Sequence, residues 1–348
     1  MDKVAVVILN YNGKKYLQQF LPLVIKYSAG SKIIVGDNAS TDDSVDFIKN
    51  NFPEVRLILQ PTNEGFSKGY NSVLRQVNSE YYILLNSDVE VTENWIPPII
   101  ELMEQDASIA ACQPKILSYH SRDSFEYAGA AGGFIDFLGY PFCRGRIFNT
   151  LEKDQGQYDG ITRIFWATGA CLFIRAEIYR QFQGFDDHFF AHMEEIDLCW
   201  RLNKADYKVM FHSDSKIYHI GGGTLPKNNP QKTYLNFRNS LLMLYKNIPV
   251  DKRNRILTFR FITDLIAALH FLLSGDAGSS NAVIKAYFTY FFKLKKVKAE
   301  ITVNKDNSLH HRQFGIFYGS IIVEHFLKKK KIFSELNFKN TKRDYFFF

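Results

Sequence analysis

The 348-residue sequence has few cysteines, only Cys112, Cys143, Cys171 and Cys199. None of them lies in a CxxC pair or at a cysteine–histidine spacing typical of zinc proteins, which argues against a structural zinc site. The first residues also lack the basic segment, long apolar run and cleavage site of a signal peptide. We therefore expect a cytoplasmic protein whose thiols are reduced.

Internal repeats, low-complexity segments and recognised nucleic-acid-binding modules are also missing from the sequence. Nucleic acid is therefore not an expected partner. Hydrophobic residues make up 46% of the chain and charged residues 23%, which is typical of a folded globular protein. A chain of this length fits one elaborated domain or two smaller ones.

Basic residues are concentrated in the last third of the chain. Residues 224–348 contain 22 lysines and arginines but 8 acidic residues, whereas residues 1–223 contain 21 and 28, respectively. This division predicts a first region, residues 1–224, with acids that could hold a metal ion. The second region, residues 225–348, is expected to be helical, basic and amphipathic and to face an anionic partner.

The first 120 residues alternate strand-like apolar runs with helical patterns. Four nearly continuous apolar runs predict buried strands at residues 4–10, 32–38, 55–60 and 81–88. Helical patterns lie between them, at residues 14–27, 43–50 and 66–77. This alternation predicts an α/β fold with a doubly wound, mostly parallel sheet.

Polar side chains follow each of the four predicted strands. In open parallel sheets, ligands bind beyond the carboxyl ends of the strands. The candidate ligand-binding residues at these ends are Asn10, Asp37, Asn63, Gly65, Asn86 and Asp88. Asp37 could instead cap a helix, and Asn63 and Gly65 could simply form a turn. Asp88 has the oxygen ligands that a hard divalent cation requires, and such a cation can hold a diphosphate at the same time.

A second group of acids lies at the start of a predicted helix over residues 194–207. Glu194, Glu195 and Asp197 are placed where the helix dipole favours negative charge, so a simple charge bias is one interpretation. The aromatic run before them favours a partly enclosed cleft bordered by these acids. His219 ends a predicted strand over residues 208–220 and is either a structural histidine or an imidazole ligand.

Helical patterns from residue 234 onward combine apolar, aromatic and basic side chains. The long apolar run at residues 255–273 is interrupted by charged and polar residues, which favours an interfacial or buried helix over a spanning one. Residues 286–298 and 328–331 place aromatic side chains beside lysines, as in segments that lie on an anionic bilayer. The alternative is an ordinary helical region with a solvated basic face.

Seven sequence motifs, in chain order, resemble those of glycosyltransferase family 2, in particular its bacterial rhamnosyltransferase-like branch. They are VVILNYNG, DNASTDDSV, NEGFSKGYN, YILLNSDVEV, WATGACLFIR, GFDDHFFAHMEEIDLCWRL and YHIGGGT, which cover roughly residues 4–224. The resemblance implies the type A nucleotide-sugar fold and a reaction that inverts the anomeric centre.

The resemblance also implies roles for the candidate residues on the donor side. The residues that border the donor nucleotide would be Asn10, Asp37, Asn63, Gly65 and Asn86. Asp88 matches the last acid of the family's DxD metal motif, whose first position is Asn86 here. Together with His219 it would hold Mg²⁺ or Mn²⁺.

On the acceptor side, the resemblance implies a catalytic base and a lining loop. Glu195 occupies the place of the aspartate in the family's Glu-Asp pair and would be the base, with Glu194 and Asp197 as alternates. The lining residues would be Trp166, Thr168 and Gly169. A core position for Trp166 is the alternative.

These features predict an inverting, metal-dependent glycosyltransferase of cell-surface polysaccharide synthesis, with dTDP-rhamnose as the donor that the resemblance suggests. The acceptor would be a glycan or a lipid-linked saccharide, used at the inner face of the plasma membrane by a peripherally bound enzyme. A sugar nucleotidyltransferase is disfavoured because NYNGKKY, after the first strand, has only one glycine for a phosphate loop. The third possibility is a non-catalytic nucleotide-sugar-binding protein.

Overall fold

The computed structural model describes residues 2–221, 229–294, 297 and 314–338. Within them the strands, in chain order, are β1 (Asp2–Asn10), β2 (Lys32–Asp37), β3 (Arg56–Leu59), β4 (Ser79–Asn86), β5 (Val89–Val91), β6 (Ile109–Ser118), β7 (Gly133–Asp136), β8 (Pro141–Cys143), β9 (Arg146–Ile147), β10 (Thr150–Leu151), β11 (Ile161–Ile164), β12 (Cys171–Arg175), β13 (Lys208–His219) and β14 (Ile316–Phe317). The helices are α1 (Lys14–Tyr27), α2 (Ser44–Asn51), α3 (Gly65–Leu74), α4 (Pro97–Gln105), α5 (Ala176–Gln181), α6 (Glu194–Lys204), α7 (Pro230–Asn247), α8 (Val250–Leu273) and α9 (Ala277–Phe288). The expected boundary between the two regions, after residue 224, lies outside the described residues.

The main sheet has the strand order β3-β2-β1-β4-β12-β6-β13-β11, and β5 pairs with β13. The pairs β1–β2, β1–β4, β2–β3 and β6–β13 are parallel, whereas β12 runs antiparallel between β4 and β6. This arrangement confirms the predicted α/β class with a mostly parallel sheet. The insertion of β12 between β4 and β6 has no signature in the local sequence pattern.

Local apolar periodicity explains the helices next to the sheet. Helix α1 buries Leu17, Phe20, Leu21 and Val24, whose spacing of three, one and three residues places them on one face. It covers the predicted residues 14–27, and α2 and α3 begin and end within three residues of their predicted bounds. Strands β1 and β4 are buried over most of their length, as continuous apolar runs predict.

A second, smaller sheet joins the middle of the chain to its C-terminal part. Its order is β10-β9-β8-β7-β14, in which β7 and β8 form an antiparallel hairpin and β14 pairs parallel with β7. The rings of Phe134 and Phe333 lie 5.1 Å apart, and the Ile321 N–H donates to Asp136 Oδ2 at 3.0 Å. The C-terminal residues therefore pack directly against the hairpin.

The helices expected after residue 234 are α7, α8 and α9. Helix α7 packs against α6 and α9, and α8 packs mainly against α9. A π-helical turn, Thr289–Lys293, continues α9. Residues 295, 296 and 298 of the predicted aromatic and basic segment lie outside the described residues.

Candidate active site

The ends of β1 and β2 bring Asn10 and Asp37 into contact. The parallel register places the two residues side by side, and Asn10 Nδ2 donates to Asp37 Oδ2 at 3.0 Å. Asp37 Oδ1 accepts from the Ser40 N–H at 2.8 Å, so Asp37 fixes the loop after β2 while α2 begins further on, at Ser44. Asn10 Oδ1 is buried and has no hydrogen-bond partner among the described residues. It is a buried acceptor next to Gly13, where a Cβ would lie 2.4 Å from it, so this position of the loop requires glycine.

Asn63 and Gly65 shape the entry into α3. Asn38 Nδ2 donates to Asn63 Oδ1 and to the Gly65 carbonyl, both at 3.0 Å. Gly65 has φ +76°, and a Cβ there would lie 2.5 Å from the Phe190 ring, so only glycine fits this position. The predicted turn is therefore present. Asn38, which holds it, was missed by the sequence analysis although it follows Asp37 directly.

Asp88 and His219 meet where β4 ends and β13 ends. The pairing of β13 with β5 places His219 opposite Val89, one residue after Asp88. His219 Nε2 lies 3.1 Å from Asp88 Oδ1, and both side chains are buried. The two residues predicted as metal ligands, 131 positions apart in the chain, are thus brought together.

Glu126 lies on the other side of the His219 ring. Its Oε2 is 3.3 Å from His219 Nδ1, and the residue is buried. Burial would lower the pKa of His219, but the negative charges of Asp88 and Glu126 together outweigh it and raise that pKa to about 10. Sequence analysis missed Glu126, because it lies in an irregular segment and becomes a partner of His219 only in the folded chain.

The Asp88–His219 pair fits a divalent cation as two adjacent ligands. Asp88 Oδ1 would supply an oxygen and His219 Nε2 a nitrogen ligand, and these two atoms lie 3.1 Å apart. Glu126 occupies the place of the carboxylate that commonly orients a metal-bound histidine. No group of three His, Cys, Asp or Glu side chains suited to one ion exists in the described part of the chain. A cation held here would therefore complete its coordination with phosphate or water oxygens.

The segment before β12 connects the end of β4 with Glu195. The Asn86 N–H donates to the Ala170 carbonyl at 3.0 Å. The neighbouring Gly169 N–H lies close enough to the Glu195 carboxylate to lower its pKa. The Asn86–Ala170 bond places the loop before β12 at the end of β4, and Glu195 lies next to Gly169 of this loop.

Glu194 and Glu195 are carboxylic acids that the surroundings keep from ionising easily. Burial raises the pKa of Glu195 to about 7, and burial together with the charge of Glu195 raises the pKa of Glu194 well above its ordinary value. The Oε2 atoms of both residues are buried and have no hydrogen-bond partner among the described residues. A carboxyl group with a pKa near neutrality is suited to accept a proton from a hydroxyl group.

Asp197 is tied up in contacts between α6 and α7. It is fully buried and accepts from Arg201 Nε and Lys246 Nζ, both at 2.9 Å, and from Asn247 Nδ2 at 2.8 Å. Burial would raise its pKa, but Lys246 and Arg201 outweigh this effect and lower it. The structure therefore places Asp197 in an interhelical ion-pair network.

Of the three residues expected on the acceptor side, two shape the loop and one lies in the core. Trp166 is 4% exposed, and its Nε1 donates to the Phe134 carbonyl at 2.9 Å, so its ring occupies the core position that was the alternative. The Thr168 N–H donates to Gln113 Oε1 at 3.1 Å, and Thr168 Oγ1 accepts from the Ala170 N–H at 3.2 Å. These bonds fix the loop that positions Gly169.

The loop that leads into Glu194 and Glu195 has an unusual backbone. Three of its residues have left-handed conformations, Phe190 (φ +63°), His192 (φ +71°) and Met193 (φ +73°). Such conformations are unfavourable for residues other than glycine and need support from the surroundings. Asn239 of α7 is fully buried, and its Nδ2 lies 2.7–2.8 Å from the carbonyl oxygens of Phe189, Ala191 and His192. Sequence analysis also missed this residue.

Comparison with known proteins shows which family the sequence is similar to. The sequence model of glycosyl transferase family 2 matches residues 5–179. N-acetylglucosaminyl-diphospho-decaprenol L-rhamnosyltransferase of Mycobacterium tuberculosis is 24% identical over 237 residues, which are 63% of this chain and 76% of that protein. Rhamnosyltransferase WbbL of Escherichia coli is 21% identical over 233 residues, which are 62% of this chain and 84% of that protein.

Solved structures share the fold. GalNAc-T7 with UDP, GalNAc and Mn²⁺ aligns with a TM-score of 0.56 and 15% identity over 88% of this chain and 58% of that chain. Staphylococcus aureus TarS 1–349 with UDP-GlcNAc aligns with a TM-score of 0.55 and 14% identity over 86% of this chain and 83% of that chain. The fold is thus the type A glycosyltransferase fold. Because the family model matches half of the chain, residues 5–179, the chain belongs to glycosyltransferase family 2.

Proposed function

We propose that this enzyme transfers a sugar, with inversion, from a nucleoside diphosphate donor to a hydroxyl group of a glycan or lipid-linked saccharide. The observation that carries the proposal is the chain of contacts from Asp88 to Glu195. A candidate cation site and a carboxylate with a raised pKa are linked through Asn86, Ala170 and Gly169 at one edge of the sheet. A transferase that acts by a single displacement needs these two groups on opposite sides of the reacting sugar.

The donor side of the site would be formed by the ends of β1, β2 and β4. Asn10 and Asp37 offer acceptors for nucleobase N–H groups or ribose hydroxyls, and Asn63 and Gly65 hold the turn next to them. We propose dTDP-rhamnose as the donor. The names of the two rhamnosyltransferase relatives support this choice.

In the proposed reaction, the ionised Glu195 carboxylate takes the proton of the acceptor hydroxyl. The acceptor oxygen then forms a bond to the anomeric carbon while the bond from that carbon to the diphosphate oxygen breaks. Attack from the face opposite the leaving group inverts the anomeric centre. Glu194 would remain protonated beside Glu195, because two adjacent buried carboxylates do not ionise together readily.

Asp88 and His219 would hold Mg²⁺ or Mn²⁺, and Glu126 would orient the imidazole ring. When bound, such a cation neutralises charge on the leaving diphosphate. The structure of GalNAc-T7, which contains Mn²⁺, supports a divalent cation. To act as a ligand, His219 would have to be unprotonated at Nε2, with Glu126 accepting from Nδ1.

We further propose that the acceptor is lipid-linked and that the enzyme works at the inner face of the plasma membrane. The Mycobacterium tuberculosis relative is named for a decaprenol-linked substrate, which supports this class of acceptor. Such a substrate would have to be met at a membrane surface.

The test is an assay of the purified full-length protein with a panel of nucleotide-sugars, polyprenyl-diphosphate-linked acceptors and Mg²⁺ or Mn²⁺. We expect release of free nucleoside diphosphate and an acceptor enlarged by one sugar of inverted anomeric configuration. Release of pyrophosphate from sugar phosphate and nucleoside triphosphate would instead identify a nucleotidyltransferase. Donor binding without turnover on any acceptor of the panel would identify a binding protein and contradict the proposal.

A further inference from the structure

Helix α8 has charged side chains inside and apolar side chains outside. Arg260 is 3% and Asp264 0% exposed, whereas Ile266 is 64% and Leu273 79% exposed. Helices on the water-facing surface of a globular protein show the opposite distribution. The outer face of α8 is thus built for an apolar environment.

Specific contacts fix this orientation of α8. Arg260 Nε donates to both Asp264 oxygens at 3.0 Å, and Arg260 Nη1 donates to the Leu138 carbonyl at 3.1 Å. The hydroxyls of Tyr140 and Tyr287 also donate to Asp264, the latter at 2.8 Å. The Arg260–Asp264 pair lies within α8, but rotation of the helix would break the bonds of this pair to Leu138, Tyr140 and Tyr287. The inverted pattern is therefore a specified feature of the fold.

The apolar face continues from α8 onto α9 and its π-helical turn. On α8 it consists of exposed side chains at Ile262, Leu265, Ile266, Leu269, Leu272 and Leu273. On the neighbouring element the exposed side chains are Ile284, Phe288, Phe291 and Phe292. The Phe261 and Tyr287 rings, 5.1 Å apart, join the two helices. We call this set of side chains the apolar face.

Basic side chains accompany the apolar face. Arg255 on α8, Lys285 on α9 and Lys293 on the π-helical turn are exposed, against one exposed acid on these elements, Asp251 of α8. Two copies of the chain that associated through this face would bring like charges together, whereas a bilayer with anionic headgroups is complementary to them. Charge therefore favours a lipid surface over a second copy as the partner.

We propose that the apolar face inserts into one leaflet of a lipid bilayer and holds the enzyme at the membrane by hydrophobic contact. Within the described residues, α8 is the one helix long and apolar enough to cross a membrane. Since Arg260 binds Leu138 and Asp264 accepts from Tyr140 and Tyr287, α8 would lie in the interface plane and remain attached to the domain. This proposal deepens the proposed function, because it identifies the surface that would contact the membrane. The evidence for that surface is the geometry of α8 and α9.

Vesicle flotation of the full-length protein tests the proposal. We expect binding to neutral phosphatidylcholine vesicles that persists in about 1 M NaCl, where electrostatic attraction is screened within about 3 Å. Phosphatidylglycerol should strengthen the binding at low salt. Binding that requires the anionic lipid and disappears in high salt would overturn insertion, and so would a stable dimer that binds no vesicles.

Paired variants locate the contact. The double variant Ile262→Glu/Ile266→Glu places two charges on the apolar face, and the ratio of bound to free protein should fall by at least about tenfold, because charged groups are strongly disfavoured in the acyl region. The control is Gln18→Glu/Asn50→Glu, with the same two charges at exposed polar positions of α1 and α2, away from the apolar face. Unchanged binding of the first variant, or equal loss in both, would contradict the proposal. Release of nucleoside diphosphate in detergent is measured in parallel, so that failure of the transferase reaction is distinguished from failure of docking.

Discussion

Glu195 combines two properties that a catalytic base requires and a structural acid lacks. Burial raises its pKa to about 7, and its Oε2 has no hydrogen-bond partner in the part of the chain that the structure describes. Asp197, two residues further on, has three donors and a lowered pKa. The different pKa values of the two acids therefore result from their surroundings and not from the residue type.

The variant Glu195→Gln should retain donor binding and lose sugar transfer by a factor of about 10² or more, the usual contribution of a general base. Glu195→Asp should keep part of the activity, since it preserves the carboxylate on a shorter arm. The matched control is Glu177→Gln, an exposed glutamate of α5, which should leave turnover unchanged. Steady-state kinetics and donor-binding calorimetry are the measurements. Full activity of Glu195→Gln would refute the assignment of the base.

The pH dependence of transfer should reflect the same carboxyl group. Because the proposed base, Glu195, would act in its ionised form, kcat/KM should rise with pH through about 7, the value to which burial raises its pKa. Glu195→Asp should shift this limb, whereas Glu177→Gln should not. A rate that is independent of pH between about 5.5 and 8.5 would show that ionisation of Glu195 does not govern the reaction.

Stability should depend on pH in the opposite sense. A carboxyl group whose pKa is higher in the folded than in the unfolded protein, where it is about 4.5, destabilises the fold when it ionises. The free energy of unfolding should therefore fall as pH rises from about 4.5 to above 7. Glu195→Gln should therefore stabilise the protein by roughly 1–3 kcal/mol near pH 8 and have little effect near pH 4. Denaturant unfolding at the two pH values measures this difference. A variant less stable than wild type at pH 8 would be inconsistent with the raised pKa.

At the scale of elements, α7 supports the loop that carries the acids. Asn239 holds three carbonyl groups of the strained segment before Glu194, and Lys246 reaches Asp197 at 2.9 Å and Asp186 at 2.6 Å. The proposed base is therefore positioned by a helix from the C-terminal region. That region contributes to the site as well as to the proposed membrane contact.

Replacement of Asn239 by alanine should destabilise the fold by about 1–3 kcal/mol, since it leaves buried carbonyl groups without a donor. It should also lower kcat more than donor affinity, because the loop positions the base. The neighbouring Ser240→Ala is the control, as the Ser240 hydroxyl is buried but has no hydrogen-bond partner among the described residues. Thermal unfolding, kcat and donor Kd are compared for both. Equal kcat values for the two variants would rule out a positioning role for Asn239.

Elements with a strong local pattern could be predicted from the sequence, and those defined by distant contacts could not. Helix α1 has an apolar face spaced at helical intervals, and its bounds were predicted correctly. Strand β14 pairs with β7 far away in the chain, so nothing in its local sequence marks it. The same distinction applies to the site. Asp88 follows a recognisable strand, whereas Glu126 becomes a partner of His219 only through folding.

At the scale of the whole molecule, the acidic first region and the basic second region of the sequence pack against each other. The C-terminal residues pair with β7, contact Phe134 and hold the loop before α6. Removal of residues 225–348 would leave the buried Asp197 without Lys246 and Asn247 and uncover the β7–β8 hairpin. The membrane contact is thus better tested by surface substitutions than by truncation.

We expect a protein truncated after residue 224 to be insoluble or to unfold at a markedly lower temperature than the full chain. The physical reason is the loss of apolar burial and of two partners of a buried carboxylate, each of which is costly. Circular dichroism and thermal unfolding of the purified fragment measure this. A soluble fragment with the Tm of the full-length protein would show that residues 1–224 fold without support from α7.

The most direct test of the central claim is a crystal structure of the full-length protein with Mn²⁺ and an unreactive analogue of the nucleotide-sugar donor. We expect anomalous scattering from Mn²⁺ within about 2–2.3 Å of Asp88 and His219, with the diphosphate on the same ion. The Glu195 carboxylate should face the anomeric carbon from the side opposite the diphosphate. Binding of the ion and donor in a cavity that Glu195 does not reach would contradict the proposed mechanism.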